Sequence, residues 1–315
     1  MKVLITGGAG FIGGNIALYL YERGYQVSIL DNFERASPII SNLIREKNIK
    51  VYNEDLRYSQ RLEEIIEEYD VIVHAAAYVD VKESIERPWD YIENNYYSTY
   101  RLSSILRKSQ RLIYLSSAAV YGDVEKIPVR EDSPKKPLSP YGLSKLLGEE
   151  IILLNARCIG FRAVILRLFN VYGLGQNKSY AGVISIFIDR VLRDQPPLIF
   201  GDGMNIRDFI HVRDVSRVVE MTIERSDVSG VFNVGSGRGV SIRELAELII
   251  RLSERGDRVK PQYTDPRPGD IRESVADISR LKNILGFTPE IDLESGLIEL
   301  IRLWREVLRT QDLNH

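Results

Sequence analysis

The sequence predicts an α/β fold in which a Rossmann-type, doubly wound parallel sheet is followed by a smaller C-terminal α/β domain. A glycine-rich stretch directly follows the first apolar run, and the sequence becomes irregular and rich in glycine after Asn170. Throughout the first half, short apolar or β-branched runs alternate with longer segments of helical period, which is typical of β-α units. These runs, expected to be strands, occupy residues 3–5, 26–30, 51–52, 71–75, 112–116 and 164–168.

The helical segments and the change to irregular, glycine-rich sequence after Asn170 predict how the domains are arranged. One helix is expected over 12–22, before Gly24, and another from Pro140 to about residue 156. We expect a first domain over 1–170 and a second mainly over 171–315. A later strand at 231–234 and a helix at 242–252 indicate that part of 208–240 returns to the first domain.

Composition excludes several classes of function. The 315 residues include 42 basic and 44 acidic side chains, and a net charge of -2 favours neither nucleic acid nor an anionic membrane as partner. The single cysteine, Cys158, and three scattered histidines predict no disulfide and no metal site. No apolar run approaches the ~20 residues of a membrane span, and no leader precedes the first strand, so a cytoplasmic location is expected.

Residues 6–13, Thr-Gly-Gly-Ala-Gly-Phe-Ile-Gly, predict a dinucleotide site. Glycines at Gly7, Gly10 and Gly13 allow a tight turn, close approach of a pyrophosphate and close packing of the helix on the sheet. Asp31 follows Gly13 by 18 residues, near the spacing expected of a carboxylate that binds the adenosine ribose. This carboxylate would repel a 2′-phosphate and favours NAD, whereas Arg35 nearby leaves NADP open.

Two further positions carry alternatives. Asp55, after the third strand, is either a ligand of the adenine amino group or a solvated loop residue. Tyr141 and Lys145 lie four residues apart, so a helix brings them to one face. An ammonium near a phenol favours the phenolate and makes the tyrosine a better base, although the same spacing also occurs in surface pairs.

With these motifs in place, the chain resembles an extended short-chain dehydrogenase/reductase of the UDP-glucose 4-epimerase type. The resemblance is carried by residues 6–13, Ser-Ser-Ala-Ala-Val-Tyr-Gly at 116–122, Tyr141-x-x-x-Lys145 and Arg-Asp-Phe-Ile-His-Val-x-Asp at 207–214. It extends from the first residues to roughly Leu285. The resemblance makes the first domain NAD-binding and the second substrate-binding.

The resemblance also implies roles for individual residues. Tyr141 would be the general acid or base on the sugar 4-hydroxyl, Lys145 would bind the nicotinamide ribose, and Ser117 would hydrogen-bond the same hydroxyl; a polar strand end is the alternative for Ser117. His74 is expected to be a packed structural residue. Further cofactor contacts are expected from Phe11, Ile12, Asn32, Asp55, Leu56, Ala75, Ala76, Ala77 and Asn94.

For the substrate, a nucleotide-linked sugar, the resemblance implicates residues of the second half. Arg207 and Arg267 would bind the diphosphate, since a guanidinium pairs with phosphate oxygens. Asp270 would hold the ribose, and Phe200 would lie either against the base or in the core. Asn170 and Val183 would complete the site, and Ser274 would leave room around the sugar C2 substituent. A uridine nucleotide is favoured, with dTDP and GDP open.

Among possible reactions, 4-epimerisation fits best. Related 4,6-dehydratases carry an Asp-Glu pair where this chain has Ala118 and Ala119, and methyl groups move no protons. A decarboxylase, a reductase and a non-catalytic NAD sensor are the alternatives, the last disfavoured by the presence of Tyr141 and Lys145. The aromatic helix expected over 89–107 and the Tyr141 helix resemble the pair that forms a four-helix homodimer interface in this family. The alternative is that Tyr91, Tyr96, Tyr97 and Tyr100 pack within the monomer.

Overall fold

A seven-stranded, all-parallel sheet dominates the first part of the computed structural model, which describes residues 1–176, 182–266 and 269–312. Its strand order is β10-β6-β5-β4-β1-β2-β3. The strands are β1 (Lys2–Thr6), β2 (Gln26–Asp31), β3 (Lys50–Asn53), β4 (Val71–His74), β5 (Arg111–Ser117), β6 (Arg162–Leu168), β7 (Asn170–Tyr172), β8 (Leu198–Phe200), β9 (Ile206–His211), β10 (Gly230–Val234), β11 (Gly239–Ser241), β12 (Gln262–Thr264) and β13 (Glu273–Ser274).

Helices cover both faces of this sheet and build most of the second part. They are α1 (Phe11–Glu22), α2 (Pro38–Glu46), α3 (Leu62–Glu67), α4 (Val81–Glu86), α5 (Pro88–Tyr91), a π-helix (Ile92–Tyr97), α6 (Ser98–Ser104), a 3₁₀ turn (Ala118–Val120), α7 (Pro140–Ile159), α8 (Val183–Leu192), α9 (Val212–Glu224), α10 (Ile242–Leu252), α11 (Ser279–Leu285) and α12 (Leu293–Asp312).

The doubly wound α/β fold expected from the sequence is confirmed. All six strands predicted in the first half exist, each within two residues of its expected bounds. Except in the exposed edge strand β3, their apolar runs are continuous because a parallel sheet covered on both faces buries successive side chains. Strand β1 lies between β2 and β4, so the connections diverge to either side of it. Such a switch point leaves a crevice beyond the carboxyl ends of the strands, where ligands of these folds bind.

Three large cores within the described ranges hold the layers together. Helices α1, α2, α9 and α11 bury one face of the sheet, and α3, α6 and α7 bury the other. A separate core joins α8, α10 and α12 through Ile188, Leu245 and Leu297. Strand β9 carries the small second sheet, with β7 and β13 parallel to it and β11 antiparallel. No helix within the described ranges is long and apolar enough to cross a membrane.

The chain returns to the large sheet in two places after residue 171. Helix α9 and strand β10 do so within the 208–240 range expected from the sequence. Helix α11 also returns, packing on β10 with Leu281, Leu285 and Phe287 in the same core, which the sequence did not indicate. Segments on both sides of residue 170 therefore pack on the large sheet, so the division there separates the chain in sequence more clearly than in packing. The domain boundaries stay a prediction.

Helix α7 has signals at both ends. Ser139 accepts a hydrogen bond from the Gly142 amide at 3.1 Å, Pro140 occupies the first turn, and Gly160 ends the helix with a φ of 96°. These are the residue types that cap helices. The helix expected over 89–107 instead ends at Ser104 and contains the π segment. The Asn94 and Asn95 carbonyls of this segment accept hydrogen bonds from the Ser98 and Thr99 hydroxyls at the start of α6.

Candidate active site

A cavity of about 400 Å³ opens beyond the carboxyl ends of the central strands. It lies at the switch point, where the fold leaves space for a ligand. Among its lining residues are all those for which the sequence predicted a cofactor contact: Gly7, Gly10, Phe11, Ile12, Gly13, Asp31, Asn32, Asp55, Leu56, Ala75, Ala76, Ala77, Asn94, Tyr141 and Lys145.

The glycine loop at one wall has no room for side chains. Gly7 has a φ of +69°, and a Cβ there would lie 2.6 Å from the Ala76 backbone. A Cβ on Gly13 would lie 2.3 Å from the Gly7 carbonyl oxygen. The loop therefore lies against β4 and places the N-terminus of α1, with its unpaired amides, at the cavity.

Carboxylates line the cavity at the ends of β2 and β3. Asp31 accepts hydrogen bonds from the amides of Ala9 at 2.9 Å and Phe33 at 2.7 Å. Burial raises the pKa of Asp31, and these two bonds oppose that effect. Asp55 is also partly buried, but hydrogen bonds from Arg57 and Asn32 outweigh burial and lower its pKa. Asp55 is thus a paired residue of the wall, not a solvated loop acid.

Tyr141 and Lys145 lie one turn apart on α7 and face the end of β5. The Lys145 ammonium donates to the Leu115 carbonyl at 2.8 Å, and Tyr141 lies beside Ser117, the last residue of β5. Burial raises the pKa of Tyr141, and the neighbouring Ser117 hydroxyl lowers it. Burial also lowers the pKa of Lys145 to about 7, against the opposing charge of Glu149. The pair is therefore buried with the hydroxyl of Ser117, as a proton-transfer site requires.

The π-helix contributes through two asparagines. Asn94 lines the cavity, whereas Asn95 is buried and bonds both the amide and the carbonyl of Tyr78, at 2.7 and 2.9 Å. Asn95 also donates to the Ser144 hydroxyl on α7 at 2.9 Å. The irregular helix thus fixes the loop after β4 to the helix that carries Tyr141. Extra turns of this kind are frequent at functional sites.

His74 has the structural role expected of it. It is fully buried and hydrogen-bonded to the Thr6 hydroxyl through Nδ1 and to the Thr99 hydroxyl through Nε2, at 2.7 and 2.9 Å. Burial lowers the pKa of His74 to about 3. A neutral imidazole therefore joins β1 and β4 to α6, behind the cavity wall.

The predicted substrate residues divide into two groups. Asn170 and Val183 line the cavity. Arg207, Asp270, Ser274 and Phe200 are not among its lining residues; Arg267 lies outside the described residues.

Three members of this second group lie together on the small sheet. Arg207 on β9 donates to the Asp270 carboxylate at 2.6 Å, and Ser274 on β13 is in register with Arg207. Phe209, two residues further along β9, lies on the same side of the strand and does line the cavity. Phe200 ends β8 and pairs with Thr264, in a different sheet.

Sequence reasoning missed several residues of the cavity wall. Tyr78, Val79, Ser98, Phe169 and Gln176 line it but belong to no motif. Tyr78 and Val79 directly follow the small residues at 75–77, and that adjacency was the available signal. The other three reach the cavity only through tertiary packing, which leaves no local pattern.

The donor set fits a dinucleotide. The glycine loop leaves backbone open to a pyrophosphate, and Asp31 offers a carboxylate at the end of β2. Lys145 is buried and faces the cavity, and within the described residues its ammonium has the Leu115 carbonyl as hydrogen-bond acceptor. An ammonium has three donors, so two remain for hydroxyls of a ligand.

Known proteins of similar sequence and structure identify the family of this chain. The family model described as NAD dependent epimerase/dehydratase family matches residues 3–235. The UDP-glucose 4-epimerase of Azospirillum brasilense is 33% identical over 332 residues, covering 98% of this chain and 92% of the relative.

Two solved structures are similar over almost the whole chain. One is the UDP-N-acetylglucosamine 4-epimerase of Methanobrevibacter ruminantium in complex with UDP-N-acetylmuramic acid, with a TM-score of 0.91, 34% identity and coverage of 97% of this chain and 98% of the other. The other is the UDP-glucuronic acid 4-epimerase of Bacillus cereus in complex with UDP-glucuronic acid and NAD, with a TM-score of 0.88, 29% identity and coverage of 96% and 100%.

The chain therefore belongs to the NAD dependent epimerase/dehydratase family. It is an epimerase-family enzyme with the fold of the extended short-chain dehydrogenases/reductases, and its cofactor is NAD.

Proposed function

We propose that this enzyme interconverts UDP-glucose and UDP-galactose by 4-epimerisation through a transient 4-keto sugar, and that it also accepts the N-acetylated forms. The observation that carries the proposal is the group formed by buried Tyr141 and Lys145 and half-buried Ser117, all of which line the same cavity as the glycine loop. This arrangement supports removal and return of one proton at one sugar hydroxyl, which is all the acid–base chemistry an epimerisation needs.

NAD held by the glycine loop and Lys145 would supply reversible hydride transfer at the sugar C4. The chain's own contribution is the proton. As the phenolate, the Tyr141 oxygen would take the proton of the 4-hydroxyl while the carbonyl forms, and as the phenol it would give the proton back when the alcohol re-forms. Ser117, which lies beside Tyr141 and lowers its pKa, would hold the sugar 4-hydroxyl, and the Lys145 ammonium would favour the phenolate over the phenol.

The residues after Ser117 favour epimerisation over dehydration. Ala118 and Ala119 form the first residues of the 3₁₀ turn, and the Ala119 amide donates to the Ser117 hydroxyl at 3.1 Å. Ala119 packs against the cluster of Tyr78, Tyr91 and Tyr141. Elimination across C5 and C6 needs an additional acid and base beside the sugar, and neither position carries a group that can transfer a proton.

The second domain carries the residues proposed for a nucleotide-diphosphate substrate. Arg207 is partly buried and pairs with the Asp270 carboxylate, so the residues proposed for the diphosphate and for the ribose lie side by side. A guanidinium binds phosphate oxygens in pairs, so a diphosphate at this end would compete with Asp270 for Arg207. A uridine nucleotide is proposed because the similar enzymes named above act on or bind UDP-sugars.

A homodimer is proposed through α6 and α7. Tyr91 is fully buried beside Tyr141 with ring centroids 6.4 Å apart, so it belongs to the interior of the monomer. Tyr97 and Tyr100 are instead 41% and 44% exposed, and Leu143 and Leu154 on the adjacent α7 are 42% and 47% exposed. Apolar side chains exposed on two packed helices are typical of an interface.

The experiment that tests the activity is incubation of the purified enzyme with UDP-, dTDP- and GDP-hexoses, N-acetylhexosamines and hexuronic acids, with NMR analysis of the products. The expected result is a C4 epimer from UDP-glucose and from UDP-N-acetylglucosamine without net NADH. Carbon dioxide from a uronic acid would identify a decarboxylase, and stoichiometric consumption of NADH a reductase. Either result without epimer would reject the proposal.

A further inference from the structure

A buried carboxylate lies directly behind the proposed catalytic pair. Glu149 is 1% exposed, one helical turn after Lys145 on α7. It accepts a hydrogen bond from the Ser116 hydroxyl at 2.5 Å and bonds from Arg167 Nε and Nη2 at 2.9 and 2.7 Å. The carboxylate thus ties α7 to two strands, β5 and β6.

Helix α7 meets the end of β5 at three successive turns. Lys145 bonds the Leu115 carbonyl, Glu149 bonds the Ser116 hydroxyl, and Tyr141 lies beside Ser117. Residues four apart share one face of a helix. A rotation or shift of α7 would break all three contacts together. Those of Tyr141 and Lys145 involve groups proposed to react or bind, whereas the Glu149 link touches neither substrate nor cofactor in this scheme.

We infer that Glu149 is a positioning residue, whose carboxylate holds the face of α7 that carries Tyr141 and Lys145 against the end of β5 and places a negative charge behind the Lys145 ammonium. This inference rests on the proposed function of Tyr141 and Lys145.

The charge has a specific consequence for Lys145. Burial lowers the pKa of Lys145, and the charge of Glu149 raises it. The other titratable groups facing Lys145 are Tyr141 on α7, Tyr114 on β5, whose ring centroid is 4.9 Å from Nζ, and His74 on β4.

These neighbours offer no substitute for Glu149. Burial lowers the pKa of His74 and raises that of Tyr114, so both are neutral near pH 7. A buried carboxylate without a cation would be costly, and Arg167 provides that cation. Arg167 is itself held by the Tyr121 hydroxyl and the Glu131 carbonyl, at 2.8 and 2.9 Å.

The test compares Glu149→Gln with wild type in the NAD-bound enzyme. The titration of Lys145 is followed by NMR with [ε-¹³C]lysine, and its resonance is assigned by its absence in Lys145→Arg. Loss of the Glu149 charge is expected to lower the titration midpoint of Lys145 by about one pH unit, which corresponds to a tenfold lower proton affinity. The difference in kcat between Glu149→Gln and wild type is expected to decrease as the pH falls, because Lys145 of the variant is then protonated as well. KM is expected to change little.

The control variant is Tyr121→Phe, which removes one bond to Arg167 and leaves the Glu149 bonds in place. It is expected to lower the melting temperature without moving the Lys145 midpoint. Glu149→Asp retains the charge and is expected to keep the midpoint while lowering kcat. If Glu149→Gln fails to fold, the double variant Glu149→Gln/Arg167→Gln leaves no unpaired buried charge, and the same downward shift is expected.

An unchanged Lys145 midpoint in a folded Glu149→Gln or double variant, with a loss of kcat independent of pH, would assign Glu149 a purely structural role and overturn the inference. The Lys145 titration needs no substrate. A failure of the proposed epimerisation would therefore appear only in the sugar assays and is distinguishable from a failure of the Glu149 inference.

Discussion

The Arg35 guanidinium forms a two-pronged ion pair with the Glu83 carboxylate, with both N···O distances at 2.8 Å. The guanidinium also lies 3.5 Å from the centroid of the Tyr78 ring. The pair joins the segment after β2 to α4, and both Arg35 and Tyr78 line the cavity. The cation that the sequence left open as a ligand of a 2′-phosphate is therefore held by a carboxylate.

This pairing predicts how cofactor preference can be altered. Glu83→Gln removes the charge that holds Arg35, and a guanidinium so released can pair with a 2′-phosphate. We expect the ratio of NADP to NAD affinity to rise about tenfold, equivalent to ~1.4 kcal/mol, while Asp31 still favours NAD. Calorimetric titration measures both affinities. Glu86→Gln, on the same helix, is the matched control, and an equal rise there would remove Arg35 as the cause.

The phenol of Tyr141 is the group whose removal should abolish turnover. Tyr141→Phe keeps the ring and removes the proton-transferring hydroxyl, so kcat is expected to fall by about 10² to 10⁴-fold while NAD binding remains. Ser117→Ala should reduce kcat less, since Tyr141 can still act on the 4-hydroxyl directly. Steady-state kinetics and cofactor titration separate these effects. Tyr69→Phe, a buried tyrosine in the core under α3, serves as control. A Tyr141→Phe enzyme with half its turnover would disprove this mechanism.

How much of this architecture the sequence reveals depends on the range of the interactions. The strands and the glycine loop are visible because a buried parallel sheet and a tight turn each impose a local pattern. The Tyr141–Lys145 pair is visible because residues four apart meet on any helix. The ion pairs Arg35–Glu83 and Glu149–Arg167 are not, because they join side chains 48 and 18 residues apart that only the packing of the layers brings together.

The exposed apolar side chains of α6 and α7 predict a specific effect on assembly. Tyr100→Glu places a charge in the proposed interface, where burial without a partner is unfavourable. We expect this variant to elute as a monomer in size-exclusion chromatography with light scattering, at concentrations where wild type is a dimer. Tyr263→Glu, at an equally exposed tyrosine on β12, should leave the dimer intact. A monomeric wild type would itself reject the interface.

Ser274 is proposed to leave room for an N-acetyl group at the sugar C2. It is half-buried on β13 beside Arg207, so its side chain lies near the proposed diphosphate cation. Ser274→Tyr should exclude N-acetylhexosamines by steric overlap while retaining glucose and galactose. The measurement is the ratio of kcat/KM for the two substrate classes, with Ser274→Ala as the small-side-chain control. An unchanged ratio in Ser274→Tyr would show that the C2 substituent is recognised elsewhere.

His74 should make the fold sensitive to acid. Burial lowers the pKa of its imidazole to about 3 in the folded state, from an ordinary value of 6.5. Between these two values the unfolded chain binds the proton and the folded chain does not. The stability that this group contributes is therefore complete above pH 6.5 and is lost progressively as the pH falls toward 3, by about 1.4 kcal/mol per pH unit.

His74→Gln isolates this effect because an amide can still bond Thr6 and Thr99 but does not titrate. The free energy of unfolding in urea is measured for both proteins from pH 8 to pH 4.5, so that the contribution of all other groups cancels in the difference. Wild type is expected to lose stability relative to His74→Gln only below pH 6.5, whatever the offset between them above it. If the two curves stay parallel down to pH 4.5, the imidazole must take up its proton within the folded state. The neutral bridge between Thr6 and Thr99 would then be the wrong description of this core.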